Sequence, residues 1–336
     1  MKSTVQCLTV FFVTQTHSAL GENGRLFKNA ARARRRLAQQ LRAMVILLAA
    51  LPVALAMDNP ELLTSADLAN FEQPAADARL HYGADPLQFG DLRLPSGPGP
   101  HPVAVFVHGG CWMAEYDIAH SNKLTAALAR NGIASWSLEF RRVGNDGGGW
   151  PGTFADVAAG TDHLREIAAV YNLDLNRVIT MGHSSGGQLA LWLAARKNLT
   201  GSGPGSAVNP LALKGVLGLA AAADFDYLHA EGTCDHAVAQ LLGGSPAEHP
   251  ERYDWTDPVR LSLGDTPQML LVGRHDDVWS PPARRYFEAA HKRGENVRLI
   301  EAPDSGHFEL IDPDSGTWPL VLDAARTLLS PNDRQK

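Results

Sequence analysis

Apolar residues follow two spacings along residues 86–330, and each spacing predicts one kind of element. Short runs rich in β-branched side chains, such as 103–107, are typical of strands buried within a parallel sheet. Segments with apolar side chains three and four positions apart, such as 119–131, predict helices with one buried face. By the same criteria, the other predicted strands are 87–94, 134–140, 178–181, 216–222, 269–272 and 297–301, and the other predicted helices are 153–171, 186–196, 281–292 and 317–329.

Strands and helices alternate throughout this region. Such alternation favours right-handed crossovers, and therefore an α/β fold with a mostly parallel, doubly wound sheet. The alternation stops between about 225 and 265, where we expect a small cap insertion over the carboxyl edge of the sheet. Residues 57–336 are accordingly predicted to form a single domain.

The first 56 residues form a leader of different character. A basic run precedes the apolar stretch 45–56, which is too short to cross a bilayer and has the length of a signal-peptide core. Small residues at Ala54 and Ala56 predict cleavage after Ala56, and hence a periplasmic or secreted protein with no stable membrane span after cleavage. A start at Met44 would remove the basic flank, and an amphipathic helix in a cytoplasmic protein is the alternative interpretation.

The net charge of −6 divides unevenly, with +7 in residues 1–56 and −13 in the remainder. An acidic body argues against nucleic acid as a partner, because phosphate binding requires a basic surface. The cysteines and histidines show no spacing typical of a zinc site, so neither a metal nor a cofactor is expected. Cys111 and Cys234 follow the leader, and the sequence leaves open whether they pair and what the oligomeric state is.

The pentapeptide Gly182–Gly186 has the form Gly-x-Ser-x-Gly and stands between a predicted strand and a predicted helix. In this context the motif predicts a sharp turn that lifts the hydroxyl of Ser184 above the sheet edge. The N-terminus of the following helix favours negative charge that develops at the same place. Ser184 is therefore the candidate nucleophile, and His183 is interpreted as a packing or hydrogen-bonding residue of the turn.

A second motif, HGGCW at 108–112, directly follows a predicted strand. Two glycines at the end of a strand let backbone N–H groups approach a substrate oxygen. The N–H groups of Gly109, Gly110 and Ser185 are therefore predicted to form an oxyanion hole, in which one donor contributes about 3 kcal/mol. Trp112 is a candidate residue of the substrate pocket.

Two loops late in the chain carry the remaining candidate chemistry. One contains His275, Asp276 and Asp277, and the other contains His307. A serine hydroxyl needs an adjacent imidazole to become nucleophilic, and the imidazole needs a carboxylate that fixes its tautomer. His307 is therefore the predicted general base. Asp276, its neighbour Asp277 and, after an earlier strand, Asp224 are the candidates for the carboxylate.

Together these motifs resemble the α/β-hydrolase superfamily, and within it the esterase, lipase and kynurenine-formamidase-like group that carries HGGxW. The resemblance extends from about 86 to 330 and includes HGGCW at 108–112, GHSSGG at 182–187 and GRHDDVWSPP at 273–282. It implies the α/β-hydrolase fold, with the nucleophile, acid and base in that chain order. The similarity of the acid loop implies Asp276 as the carboxylate.

The resulting prediction is a serine hydrolase that cleaves a small-molecule carboxylic ester through an acyl-enzyme, without a cofactor. Hydrolysis of N-formylkynurenine, an amide substrate, is the alternative that the resemblance implies. The predicted signal peptide argues against this alternative, because tryptophan catabolism is an intracellular task. A peptidase and a non-catalytic binding protein on the same fold are further alternatives. Binding proteins of this kind usually lack a member of the triad, whereas all three members are present here.

Overall fold

The computed structural model describes residues 61–206 and 209–330. The predicted leader and its cleavage site lie outside the described residues. Eight strands form one sheet in the order β1-β2-β4-β3-β5-β6-β7-β8. The strands are β1 Ala78–His81, β2 Phe89–Arg93, β3 His101–Val107, β4 Ala134–Leu138, β5 Leu173–His183, β6 Gly215–Leu219, β7 Gln268–Gly273 and β8 Val297–Ala302.

The sheet is mostly parallel and doubly wound, as predicted. Strands β3 to β8 run parallel, whereas β2 is antiparallel to both of its neighbours, β1 and β4. Every residue of β4, β6 and β7 is buried, since helices cover both faces of a sheet of this kind. The carboxyl ends of the parallel strands therefore meet at one edge, where the loops that carry the candidate residues begin.

Nine α-helices lie within the described ranges. Helix α4 directly follows β5 and is buried along its whole length, consistent with its small and apolar sequence. None of the described helices combines the length and the hydropathy that a membrane span requires. The helices are α1 Asn122–Arg130, α2 Gly152–Asp162, α3 Leu164–Ile167, α4 Ser185–Ala195, α5 Phe225–Ala230, α6 Thr233–Leu242, α7 Pro250–Thr256, α8 Ser280–Lys292 and α9 Trp318–Leu329.

The structure differs from the sequence prediction at three elements in particular. Strand β1 has no predicted counterpart, because it has only four residues and every second one is exposed. Strand β5 begins five residues before the predicted start at 178, where the polar residues Asp174 and Asn176 obscure the apolar pattern. The single helix predicted over 153–171 is two helices, and the left-handed turn at Asn172 (φ 51°) then directs the chain into β5.

Helices α5, α6 and α7 occupy the interval in which a cap was expected. Helix α6 begins in a left-handed turn, with φ of 52°, 53° and 58° at Cys234, Asp235 and His236. Cys234 forms a disulfide with Cys111, and their Cα atoms are 6.3 Å apart. The pairing that the sequence leaves open is therefore present, and it links α6 covalently to the loop after β3.

Candidate active site

Strand β5 leads into α4 through Ser184, whose backbone has φ 56° and ψ −123°. A left-handed conformation is uncommon for a residue with a side chain, and it persists only where the surrounding structure holds it. Two glycines make the turn sterically possible. A Cβ on Gly182 would lie 2.1 Å from the carbonyl oxygen of Gly186, and a Cβ on Gly186 would lie 2.1 Å from that of Val107.

The backbone of Ser184 is held by two neighbouring residues. Its N–H donates to the carbonyl of Leu219 at the end of β6 (2.8 Å), and its carbonyl accepts the N–H of Ala222 (3.0 Å). Ser184 lines a cavity of about 140 Å³, and His307 lines the same cavity. No hydrogen bond joins the serine hydroxyl to His307 in the described part of the chain, which is common before a substrate binds.

His307 follows β8, and its ring is oriented by Asp276. Nδ1 of His307 donates to Oδ2 of Asp276 at 2.7 Å. Because an ionised carboxylate only accepts, the neutral imidazole carries its hydrogen on Nδ1, and Nε2 keeps a free lone pair. The other oxygen of Asp276 accepts the N–H of Trp279 at 3.0 Å. The carboxylate that orients His307 is therefore itself held by the backbone of its own loop.

The other two carboxylates considered for this role point elsewhere. Asp277 is exposed to solvent. Asp224 is buried, but its Oδ2 pairs with Nε of Arg285 at 2.6 Å. Of the three candidates, Asp276 is the one that contacts His307.

The loop after β3 presents the glycine N–H groups expected to form the oxyanion hole. Gly110 has φ 110°, and a Cβ there would lie 2.3 Å from the Cβ of Tyr116, so this position requires glycine. Across the described ranges, the N–H groups of Gly109, Gly110 and Ser185 have no acceptor. Ser185 is the first residue of α4, where a helix leaves N–H groups unpaired. Of these three residues, Gly110 lines the same cavity as Ser184.

Trp112, expected in the substrate pocket, lies in the core instead. Its side chain is 2% exposed, and its indole N–H donates to Oε1 of Gln188 at 3.1 Å. Its ring packs edge-on against Phe225. The left-handed backbone at Trp112 (φ 59°) accompanies this inward position, and the indole buries a large apolar surface there while its N–H keeps a partner. The structure does not bring Trp112 to the cavity.

Several side chains around the cavity belong to no motif recognised in the sequence. Ser65 and Leu68 come from the segment before β1, for which the sequence contains no signal. Trp279, by contrast, lies within the acid-loop stretch 273–282; it lines the cavity and stacks on His307 with ring centroids 5.5 Å apart. In the described part of the chain, no Lys, Arg, Asp or Glu side chain lines the cavity. The lining residues are Ser65, Leu68, Gly110, Cys111, Tyr116, His120, Ser184, Cys234, Trp279, His307 and Phe308.

Three further histidines lie close to the site, and all of them are neutral near pH 7. Burial and the neighbouring Arg142 guanidinium lower the pKa of His108 to about 3. Burial also lowers the pKa of His120 to about 3, and it holds the pKa of His183 well below its usual value. These rings therefore add no positive charge to the surroundings of Ser184.

Comparison with known proteins places the amino-acid sequence in a family. Residues 91–285, more than half of the chain, match the protein family described as BD-FAE. The chain belongs to this family. The esterase LipC of Mycobacterium tuberculosis (strain ATCC 25618 / H37Rv) is 26% identical over 74% of this chain and 61% of its own length. The isoprenylcysteine alpha-carbonyl methylesterase ICME of Arabidopsis thaliana is 30% identical over 75% of this chain and 61% of its own length. This chain thus spans about three fifths of the length of these two relatives.

A solved structure with a similar backbone identifies the fold. Esterase B from Lactobacillus rhamnosis (HN001) has a TM-score of 0.64 and is 20% identical, over 88% of this chain and 95% of that chain. This likeness and the strand order show that the protein has the α/β-hydrolase fold, as predicted.

Proposed function

We propose that the protein hydrolyses a small, uncharged carboxylic ester through an acyl-enzyme on Ser184. The observation that carries the proposal is the hydrogen bond from His307 to Asp276 beside the cavity that also contains Ser184. A serine, an imidazole of fixed tautomer and unpaired N–H groups are the parts that acyl transfer requires. The relatives named as esterases support the same class of reaction.

In the proposed reaction, Oγ of Ser184 attacks the ester carbonyl while Nε2 of His307 takes the hydroxyl proton. The negative charge that forms on the carbonyl oxygen is stabilised by the N–H groups of the loop after β3 and of Ser185. His307 then gives its proton to the leaving alcohol. A water molecule, deprotonated by the same ring, attacks the acyl-enzyme, releases the acid and restores Ser184.

The walls of the cavity favour a neutral acyl group. Leu68, Trp279 and Phe308 are apolar, and no charged side chain among the described residues lines the space. A charged group enters such a space at a desolvation cost that nothing there offsets. N-formylkynurenine, the amide alternative, carries an ionised amino acid group for which this cavity has no charged partner.

A substrate profile tests the proposal. We expect p-nitrophenyl acetate and butyrate to have higher kcat/KM than p-nitrophenyl octanoate, and a fluorophosphonate probe to label Ser184. A feruloyl ester and N-formylkynurenine belong in the same panel as alternatives. Folded protein that hydrolyses no ester and takes up no fluorophosphonate would overturn the proposal. A preference for N-formylkynurenine would show that the protein is an amide hydrolase and not an esterase.

A further inference from the structure

The loop that carries His307 is held by a second contact besides Asp276. Nε2 of His183 lies 3.0 Å from the backbone carbonyl oxygen of His307, and the two rings pack with centroids 4.3 Å apart. Nδ1 of His183 lies 2.9 Å from Nε2 of His120. Because His183 directly precedes Ser184, one side chain connects the turn of the proposed nucleophile to the loop of the proposed base.

The chemistry of these contacts determines where the hydrogens are. A carbonyl oxygen only accepts, so Nε2 of His183 carries the hydrogen and donates it to His307. Nδ1 of the neutral His183 ring is then unprotonated and accepts, so Nε2 of His120 carries the hydrogen of the second bond. Burial lowers the pKa of both His120 and His183, which keeps both rings in these neutral tautomers near pH 7.

The histidine pair also contacts the loop of the predicted oxyanion hole. A Cβ on Gly109 would lie 3.0 Å from the carbonyl oxygen of His183 and 3.2 Å from the ring of His120. His120 belongs to the short 3₁₀ helix Ile118–Ser121, which follows that loop. Three parts of the site therefore pack against this pair of histidines, of which His183 is buried and His120 lines the cavity.

We propose that His183, held in a single tautomer by His120, positions His307 for proton transfer with Ser184. This role rests on the proposed function. Asp276 orients the imidazole ring of His307, whereas His183 holds the backbone from which that ring projects. A neutral group suits this position, because a cationic one would repel the imidazolium that forms on His307 during the reaction.

A pair of substitutions separates the hydrogen bond from packing alone. In His183→Gln the amide reaches the position of Nε2 and can donate to the carbonyl of His307, whereas in His183→Asn the amide ends near the position of Nδ1. We expect kcat to fall about 10- to 100-fold in His183→Asn with KM unchanged, since a displacement of about 1 Å costs up to about 100-fold. In His183→Gln, kcat should return to within a few-fold of the native value. His291→Gln, at an exposed histidine, is the matched control and should change neither constant.

Two further measurements keep the test decisive. Circular dichroism and thermal melting establish whether each variant folds. If His183→Asn does not fold, His120→Gln and His120→Leu test the hydrogen bond between His120 and His183 in the same way. Nitrogen-15 spectra of the native protein should place the hydrogen on Nε2 in both His120 and His183. Equal kcat in the Asn and Gln variants, an effect confined to KM, or a hydrogen on Nδ1 of His183 would each overturn the positioning role.

Failure of this role and failure of the proposed function give different results. Native protein that neither cleaves esters nor reacts with a fluorophosphonate refutes the proposed function, and the positioning role with it. An active native enzyme whose His183 variants behave alike refutes the positioning role alone.

Discussion

At the scale of single residues, backbone geometry distinguishes two adjacent serines. Ser184 occupies the left-handed turn and lines the cavity, whereas Oγ of Ser185 is directed to the N–H of Trp112 at 3.4 Å. We expect Ser184→Ala to abolish ester hydrolysis and fluorophosphonate labelling without loss of the fold. Ser185→Ala should stay active, because its expected contribution comes from its backbone N–H. Labelling kinetics and circular dichroism check both variants, and labelling of the Ser184→Ala protein would contradict the assignment.

The carboxylate beside His307 permits a second prediction at this scale. Without Asp276 the imidazole loses the partner that fixes its tautomer. In a serine protease, the same defect lowers kcat by about 10⁴. We therefore expect Asp276→Asn to lower kcat by thousands-fold with little change in KM. Asp277→Asn, at an exposed neighbour, and Asp224→Asn, at the Arg285 pair, should each change kcat about tenfold at most, the equivalent of about 1.4 kcal/mol. Steady-state kinetics decide the matter, and a large loss in Asp224→Asn alone would transfer the role to that residue.

At the scale of secondary-structure elements, the disulfide between Cys111 and Cys234 joins the loop after β3 to α6 across 123 residues of sequence. A cross-link over a loop of this length restricts the unfolded chain, and its removal typically costs about 2–5 kcal/mol. We expect dithiothreitol to lower the melting temperature of the native protein. The Cys111→Ser/Cys234→Ser double variant should melt at the lower temperature with or without the reductant. Thiol titration in denaturant checks the pairing, because thiols at these two positions before reduction would contradict it.

Asp257, which directly follows α7, is expected to make the free energy of unfolding depend on pH. Burial raises the pKa of Asp257 to about 8, although the N–H of Phe225 donates to its Oδ1 (3.2 Å) and Nε of Arg260 lies 3.5 Å from its Oδ2. In the unfolded chain this carboxyl titrates near pH 4. Between about pH 4 and pH 8 the folded state therefore binds more protons than the unfolded state, so the free energy of unfolding falls as pH rises through this interval.

Replacement of Asp257 tests the direction of this pH dependence. Asp257→Asn keeps an acceptor oxygen and has no charge to bury, so its advantage in melting temperature over the native protein should grow from pH 5 to pH 8. Asp146→Asn, at an exposed aspartate, is the control and should show no such growth. An Asp257→Asn advantage that is the same at both pH values would show that Asp257 is ionised in the folded protein throughout.

At the scale of the whole molecule, the disulfide and the predicted leader bear on the same question, the compartment in which the protein works. Disulfides form and persist mainly in oxidising spaces, which supports the proposal of a periplasmic or secreted protein. We expect N-terminal sequencing of the protein from its native host to find a start near Met57. Soluble cytoplasmic protein that retains residues 30–56 would contradict this proposal.

Much of the fold was predictable, because the signals that determine it are local. Apolar runs and helical spacing report which segments are buried, and alternation of the two implies parallel strands with crossovers. The turn at Ser184 was equally predictable, since glycine at 182 and 186 leaves room for backbone atoms that a Cβ would meet at 2.1 Å. Prediction was weaker where polar residues interrupt a strand, as in the first half of β5.

The sequence by itself therefore determined most of the strands and helices of the sheet region and the strand ends at which Ser184 and His307 stand. Only the tertiary structure decided which side chains meet. The pairing of Cys111 with Cys234, the bond from His183 to the carbonyl of His307 and the contact of Asp276 with His307 join positions 123, 124 and 31 residues apart. Such contacts depend on the direction of each side chain after the strands have packed. Local periodicity does not show that direction. For this reason Trp112 was expected at the cavity, which its motif borders, whereas its side chain lies in the core.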